Sequence, residues 1–535
     1  MTVPFIIRKN MDRTLYRTPE CTTDYVGLIS REEGLSDLQL AHPATVAVIG
    51  AGAAGLAAAF ELARVGIEPV VYEASNRIGG RLYSYRFPGD PHAVAELGAM
   101  RFPPTAFTLF HYVKAFGLQM QTFPDPLVVP TALYVNNARC VCRGEAELPP
   151  PLLKVAKKWT NLIQGMVQVE QRINGDAETR RRLWQEQIDK YANISFYQLL
   201  ADHGWSPAEI DLFGSLGLGT GGFDSLYNIS FLEILRIAHC RWEADQKLIK
   251  GGVEQLAARF WDTRRECRGF GKTSVRELNH GSWRPAVRYI ADDGERVRIV
   301  DCDGGADSFD SAILTCTLPA IEANIEISPR IFSPAVTQAI RRIHHIGSSK
   351  VFVRTAKAFW KEDRSFPRCA ITDEMTRGTY LFDFDDSQSG VVCLSYTWED
   401  ASRKFLPLAP EQQVDACLKI LERVLGVDRF RHQVEEIITV SWEKAPHYHG
   451  AFKLNYPGQY ADQAVLFEQN HASDPAWDHG VYLAGDSVSF SGGWVEGALQ
   501  TGIQAALCAI HRCFKKEAAT KAAMHSHAKR SPTLE

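Results

Sequence analysis

A chain of 535 residues with 45% hydrophobic and 23% charged residues has the composition of an ordinary globular protein and room for two or three interleaved cores. Its formal net charge of -4 gives no electrostatic pull toward nucleic acid or an anionic membrane, so neither is expected as a partner. The twelve cysteines are scattered, and Cys140 and Cys142 are too close for a usual metal-ligand pair, so reduced thiols in a cytoplasmic protein without a metal are expected.

Residues 1–40 read as an irregular N-terminal extension without the basic and apolar blocks of a signal peptide. Residues 46–63 are apolar enough to suggest a membrane span, but their glycine spacing breaks them into strand, turn and helix. Val46-Ala-Val-Ile-Gly50-Ala-Gly52-Ala-Ala-Gly55 leads into that helix, and Glu68-Pro-Val-Val-Tyr-Glu73 follows it as a second apolar strand closed by an acid. Gly50 suits the tight turn, Gly52 the approach of a pyrophosphate, and Gly55 close helix–sheet packing. The helix N-terminus offers N–H groups to phosphate, and Glu73 can accept from a ribose. Arg77-Ile-Gly79-Gly80-Arg81 adds glycines and cations beside the same phosphates.

Residues 151–205 predict a helical insertion, and 229–240 a further helix. Residues 296–300 and 311–315 read as strands, and 345–445 as a β-rich region with one helix near 410–425. Val481-Tyr-Leu-Ala-Gly485-Asp486 reads as another strand ending in an acid, and Trp494-Val495-Glu-Gly-Ala opens a long apolar helix. This second strand–acid–helix element suits a large dinucleotide such as FAD. The tail from Lys515 is expected to be frayed. The fold class is α/β: a Rossmann-like FAD-binding domain over 41–125, 245–325 and 470–515. An interleaved α+β substrate domain follows, helical over 126–244 and β-rich over 326–469, with a flexible tail over 516–535.

Six blocks in one order sharpen the reading: Glu96-Leu-Gly98-Ala99-Met100-Arg101-Phe-Pro, residues 213–223, Ser348-Ser-Lys350-Val-Phe, Ser395-Tyr396-Thr-Trp398, residues 450–457 and Gly493-Trp494-Val-Glu-Gly497. From about residue 41 to 515 the chain resembles the flavin amine oxidase family, in particular its L-amino-acid 2-monooxygenases and L-amino-acid oxidases. The resemblance implies FAD and a homodimer. It places Gly50, Gly52, Ala54, Gly55, Glu73, Ala74, Gly80, Arg81, Gly98, Ala99, Met100, Arg101, Val253, Gly485, Asp486, Trp494 and Val495 around the cofactor.

The chemistry so implied is oxidation of an L-amino acid by hydride transfer from Cα to flavin, with O2 as the final acceptor. In an oxidase the imino acid hydrolyses to a keto acid and peroxide leaves. In a monooxygenase the two react to give an amide and CO2, the branch toward which the resemblance tilts. A guanidinium matches a carboxylate in two-pronged geometry, so Arg101 is the expected substrate clamp, with Tyr396 as second contact. Lys350 is expected near flavin N5, acting in the reaction with oxygen. Trp398, Trp442, Phe490 and Trp494 could wall the pocket or simply pack the core. Asp224 and Cys240 match pocket residues of lysine-oxidising relatives, and an acid in an apolar pocket favours a cationic side chain. A basic substrate such as Lys, Arg or Orn is therefore expected; the alternatives are an aromatic amino acid (Trp, Phe) and a non-catalytic flavin-binding module. Asp224 could instead cap a helix, and the run Asp383, Asp385, Asp386 reads as a solvated turn.

Overall fold

A computed structural model of the chain describes residues 18–126, 128–167, 177–216, 222–243, 245–384, 387–427, 430–470 and 478–528. Part of the glycine-rich block (217–221), Asp385 and Asp386 lie outside the described residues. The chain forms two compact units, one of residues 23–82, 256–342 and 462–535, the other of 1–22, 83–255 and 343–461.

The first unit is Rossmann-like. Thr45–Ile49 pairs in parallel with Glu68–Tyr72 on one side and Ser311–Leu314 on the other, and Val481–Leu483 completes a four-stranded parallel sheet. These strands are nearly continuous runs of apolar residues, as expected of a parallel sheet covered on both faces. The helix Ala53–Arg64 is buried from Ala54 onward, which its many alanines permit. Close packing is literal here: a Cβ on Gly502 would lie 2.3 Å from the Ala54 carbonyl oxygen. The one charge pair on this buried helix, Glu61 and Arg64, is joined at 2.7 Å, and Arg64 also donates to the Ile29 carbonyl at 3.0 Å. The long C-terminal helix spans Val495–Ala528, so the segment after Lys515 continues as helix rather than fraying there. Its Lys, Glu and Ala residues are good helix formers.

The second unit is built on a seven-stranded sheet in the order Val434–Ser441, Ser348–Thr355, Gly390–Trp398, Gly378–Phe382, Cys369–Thr372, Thr131–Val135 and Ala138–Cys142. Every pairing is antiparallel except Cys369–Thr372 with Thr131–Val135. The region read as purely helical thus contributes two strands to this sheet before Pro150–Val167, Ala177–Tyr191 and Phe196–Asp202 supply the helices. Residues 83–125 and 245–255 also group with this unit rather than with the Rossmann-like one, and 326–342 do the reverse. A buried polar tie explains part of that grouping, since the Glu96 carboxylate accepts from Ser84 Oγ at 2.7 Å and from the Val253 amide at 2.8 Å. The helical core is aromatic: Phe213 stacks on Phe223 at 4.6 Å, with Trp159 and Phe196 against them. Ser206 caps Pro207–Gly214 in a reciprocal capping box with Glu209.

Candidate active site

In the Rossmann-like unit two glycine turns lie side by side. Gly50 has φ +104°, the left-handed range that glycine alone enters freely. A Cβ on Gly55 would lie 1.9 Å from the Gly50 carbonyl oxygen, whereas one on Gly52 would meet nothing within 4 Å. Gly52 therefore faces open space at the start of the Ala53–Arg64 helix, where no side chain caps the N-terminal amides. Gly79 donates to the Ala51 carbonyl at 2.7 Å, and a Cβ on Gly80 would sit 3.2 Å from the Gly52 Cα. Glu73 accepts from the Ala51 amide at 2.8 Å and from the Ser75 amide at 2.9 Å and hydroxyl at 2.8 Å. A carboxylate has about four lone-pair sites, so one stays available for a ribose hydroxyl. Arg81 forms a two-pronged pair with Asp486, one arm at 3.1 Å, and the Gly493 amide reaches the same carboxylate at 3.3 Å. Asp486 is therefore tied to a cation and a loop amide within this unit. Gly485 has φ +126°, and Val495 begins the long helix just after Trp494. Ala54 is buried and Ala74 exposed. Phe490 is buried against Phe467 at 5.0 Å, which is core packing. An open glycine cradle, uncapped helix amides and a ribose acceptor fit a dinucleotide.

In the sheet unit, charged groups gather around Arg101. Its side chain is 8% exposed, and Nη1 donates to Glu243 Oε2 at 3.1 Å. The guanidinium lies 6.0 Å from both the Phe123 and the Tyr396 ring centroids. Burial opposes the Arg101 charge, but Glu243, Tyr380, Tyr396 and Asp125 together outweigh it and hold the guanidinium firmly protonated. Burial raises Glu243 above the usual carboxylate range despite Arg101. It also pushes Asp125, which accepts from the Gln246 amide at 3.1 Å, up to about 7. Tyr380 and Tyr396 are likewise raised by burial, with Arg101 opposing.

Lys350 sits on the central strand Ser348–Thr355, in register with Tyr396. It is 2% exposed; Nζ donates to the carbonyls of Glu96 at 3.0 Å and Gly98 at 2.6 Å, with Met100 Sδ at 3.8 Å. The ammonium also lies 4.7 Å from the Tyr396 ring centroid. Burial pulls its pKa down to about 8. Gly98 and Ala99 keep some exposure beside it. Trp398 packs edge-on against Tyr396 at 5.7 Å and against Phe452 at 5.1 Å. Trp442 donates from Nε1 to the Leu97 carbonyl at 3.1 Å, which ties the sheet to the segment preceding Arg101. The Val253 amide is spent on Glu96.

The domain matched by the flavin containing amine oxidoreductase family model spans residues 53–510, most of the chain. The chain belongs to that family. It is a flavin-dependent enzyme, and its dinucleotide cradle marks the flavin as FAD. Among curated family relatives, the tryptophan 2-monooxygenase of Pseudomonas savastanoi is 35% identical over 508 residues, covering 87% of this chain and 89% of that protein. The enzyme of that name from Pantoea agglomerans pv. gypsophilae is 34% identical, covering 88% and 89%. The L-amino-acid oxidase of Echis ocellatus is 25% identical, covering 87% and 88%. The fold matches putrescine oxidase with a TM-score of 0.68 at 18% identity, covering 87% of this chain and 98% of that one. It matches cyclohexylamine oxidase from Brevibacterium oxydans with a TM-score of 0.67 at 17% identity, covering 89% and 100%.

Family membership leaves Asp224 to be weighed on its surroundings. Its carboxylate is paired with the Arg377 guanidinium and accepts from the Ser225 amide at 2.9 Å. It therefore offers no unpaired acid for a cationic substrate, and the expected preference for Lys, Arg or Orn loses its physical support. Cys240 is fully buried at the end of the helix Phe231–His239, where its carbonyl accepts from Thr105 Oγ1 at 2.9 Å. Glu243 and Asp125 escaped sequence reading. The only signals were an acid just past a buried helix end and an acid set between Pro124 and Pro126. Among the described residues no helix is long and apolar enough to cross a membrane, and no acid, histidine and cysteine group could hold a metal ion.

Proposed function

We propose that the chain is an FAD-dependent 2-monooxygenase of aromatic L-amino acids such as tryptophan or phenylalanine. The observation that carries this reading is the buried Arg101 guanidinium set among the rings of Phe123 and Tyr396. It offers a carboxylate clamp beside apolar aromatic walls, and the pairing of Asp224 with Arg377 removes the free acid that a basic side chain would require. The names of the tryptophan 2-monooxygenase relatives point the same way.

FAD would be held by the Gly50–Gly52–Gly55 turn, Gly80, Glu73 and the start of the Val495 helix, and when bound supplies the acceptor for the hydride leaving substrate Cα. Arg101 would take the substrate carboxylate in a fork, with the Tyr396 hydroxyl as second contact, fixing which Cα face is presented. Trp398 backs Tyr396 and holds its ring in place. Lys350 would keep a positive charge close to the reaction with oxygen, where negative charge develops. Replacing Lys350 by methionine is expected to slow reoxidation by O2 about 10²-fold while leaving anaerobic reduction much less affected, as stopped-flow measurements of the two half-reactions would show. The reoxidation rate of the native enzyme should fall as pH rises through about 8, where the buried ammonium loses its proton, and the methionine variant should lack that step.

Product analysis in air tests the proposal. Phenylalanine or tryptophan should give the amide one carbon shorter, with CO2 released. A keto acid, ammonia and one peroxide per turnover as the sole products would make the enzyme an oxidase instead.

A further inference from the structure

The partner of Arg101 raises a question that the clamp role alone does not answer. A guanidinium carries five N–H donors, and among the described residues this one makes a single side-chain hydrogen bond, from Nη1 to Glu243. Glu243 keeps 23% exposure while Arg101 keeps 8%. It follows Arg241, whose φ is 53°, and Asp245 has φ 49°. A side-chain carboxylate thus occupies the cation on which a substrate carboxylate would have to land.

We infer that Glu243 is a positioning residue that stands in for the substrate carboxylate: it holds Arg101 while the site is empty and is displaced when an amino acid arrives. The inference rests on Arg101 being the carboxylate clamp. The two carboxylates compete for one guanidinium, and a two-pronged α-carboxylate outcompetes a single-contact glutamate. The exchange spares the enzyme a buried, unpaired guanidinium between turnovers. It also taxes affinity, because a ligand sees only the fraction of molecules in which Arg101 is released. With Arg101 on Glu243 nine-tenths of the time, that tax is about tenfold.

Charge gives the exchange a pH dependence. Among the described residues, the groups facing Glu243 are Arg101, the Tyr396 hydroxyl and Asp125. Asp245 is engaged with Lys247 at 2.6 Å. Burial raises Glu243, so its proton is taken up at a higher pH than for a free carboxylate, and protonation weakens its hold on Arg101. Carboxylate binding should therefore tighten as pH falls. A substrate amino group titrates in the opposite sense and would mask this effect, so the probe must lack one.

The test uses the FAD-loaded enzyme and 3-phenylpropanoate, which is ionised from about pH 6 to 9, with binding read from the flavin absorbance. In the native enzyme the Kd should fall as pH is lowered while the probe stays ionised. Glu243→Gln should bind about tenfold more tightly at high pH with a much flatter profile, and Glu243→Ala should do the same should the glutamine variant load flavin poorly. Asp125→Asn should leave the slope in place. Glutamine and alanine variants that bind no more tightly than the native enzyme, with normal flavin spectra, would overturn the inference, as would a slope abolished by Asp125→Asn alone. Arg101→Met in parallel separates the two levels. If it binds the probe as well as the native enzyme does, the clamp reading itself fails; if it loses binding while Glu243→Gln gains none, only the role of Glu243 fails.

Discussion

Replacing Arg101 by methionine should lower kcat/KM for a good aromatic L-amino acid by about 10²–10⁴-fold, since removing one partner of a buried charge pair costs about 3–5 kcal/mol. Two losses combine. The substrate carboxylate enters a largely buried site without its cation, and Glu243 is left without Arg101 beside it. Arg101→Lys keeps the charge but not the planar fork, and should fall between the native enzyme and the methionine variant. Any turnover of phenethylamine, which lacks the carboxylate, should be far less sensitive to either substitution. Steady-state kinetics on both compounds, normalised to bound flavin, checks this. Equal losses on the amine and the amino acid would show that Arg101 acts through structure rather than by binding carboxylate.

The second large effect lies in the glycine turn, where neighbouring positions should fail in different ways. Gly55 has no room: an added Cβ would stand 1.9 Å from a backbone oxygen that cannot give way. Gly55→Val should therefore prevent the Ala53–Arg64 helix from seating and abolish soluble, folded protein. Gly52 is different. It has an extended backbone, φ -77° and ψ -174°, and open space where a Cβ would point. Gly52→Val should fold with a native-like circular dichroism spectrum yet bind FAD poorly, because its methyl groups fill the approach of the pyrophosphate. Losing one charge-assisted hydrogen bond, about 1.5–3 kcal/mol, weakens binding about 10- to 100-fold. The flavin-to-protein ratio after gel filtration separates the two variants. Full flavin content in Gly52→Val would remove the pyrophosphate from that turn.

The contrast between these two glycines marks where the sequence is legible. The strand–turn–helix–strand unit is encoded locally: β-branched apolar runs, three glycines at fixed spacing and an acid closing the second strand all fall within residues 45–73. The central strands Ser348–Thr355 and Gly390–Trp398 were readable for the same reason, as short apolar runs carrying Lys350 and Tyr396. What could not be read depends on distant partners. Arg101 meets Glu243 across 142 residues, and Asp224 meets Arg377 across 153. An aspartate after a glycine-rich loop looks the same in sequence whether it is free or neutralised, yet only a free one would select a basic substrate. The Thr131–Val135 and Ala138–Cys142 strands were hidden similarly, since their place in the seven-stranded sheet rests on pairing with Cys369–Thr372.

The most direct test of the central claim is anaerobic mixing of the purified FAD enzyme with a panel of L-amino acids while the visible flavin band is followed. Rapid bleaching by tryptophan or phenylalanine, with little by lysine, arginine or ornithine, is the predicted result. Bleaching by the basic amino acids alone would contradict it and would mean that Arg377 yields Asp224 to the substrate.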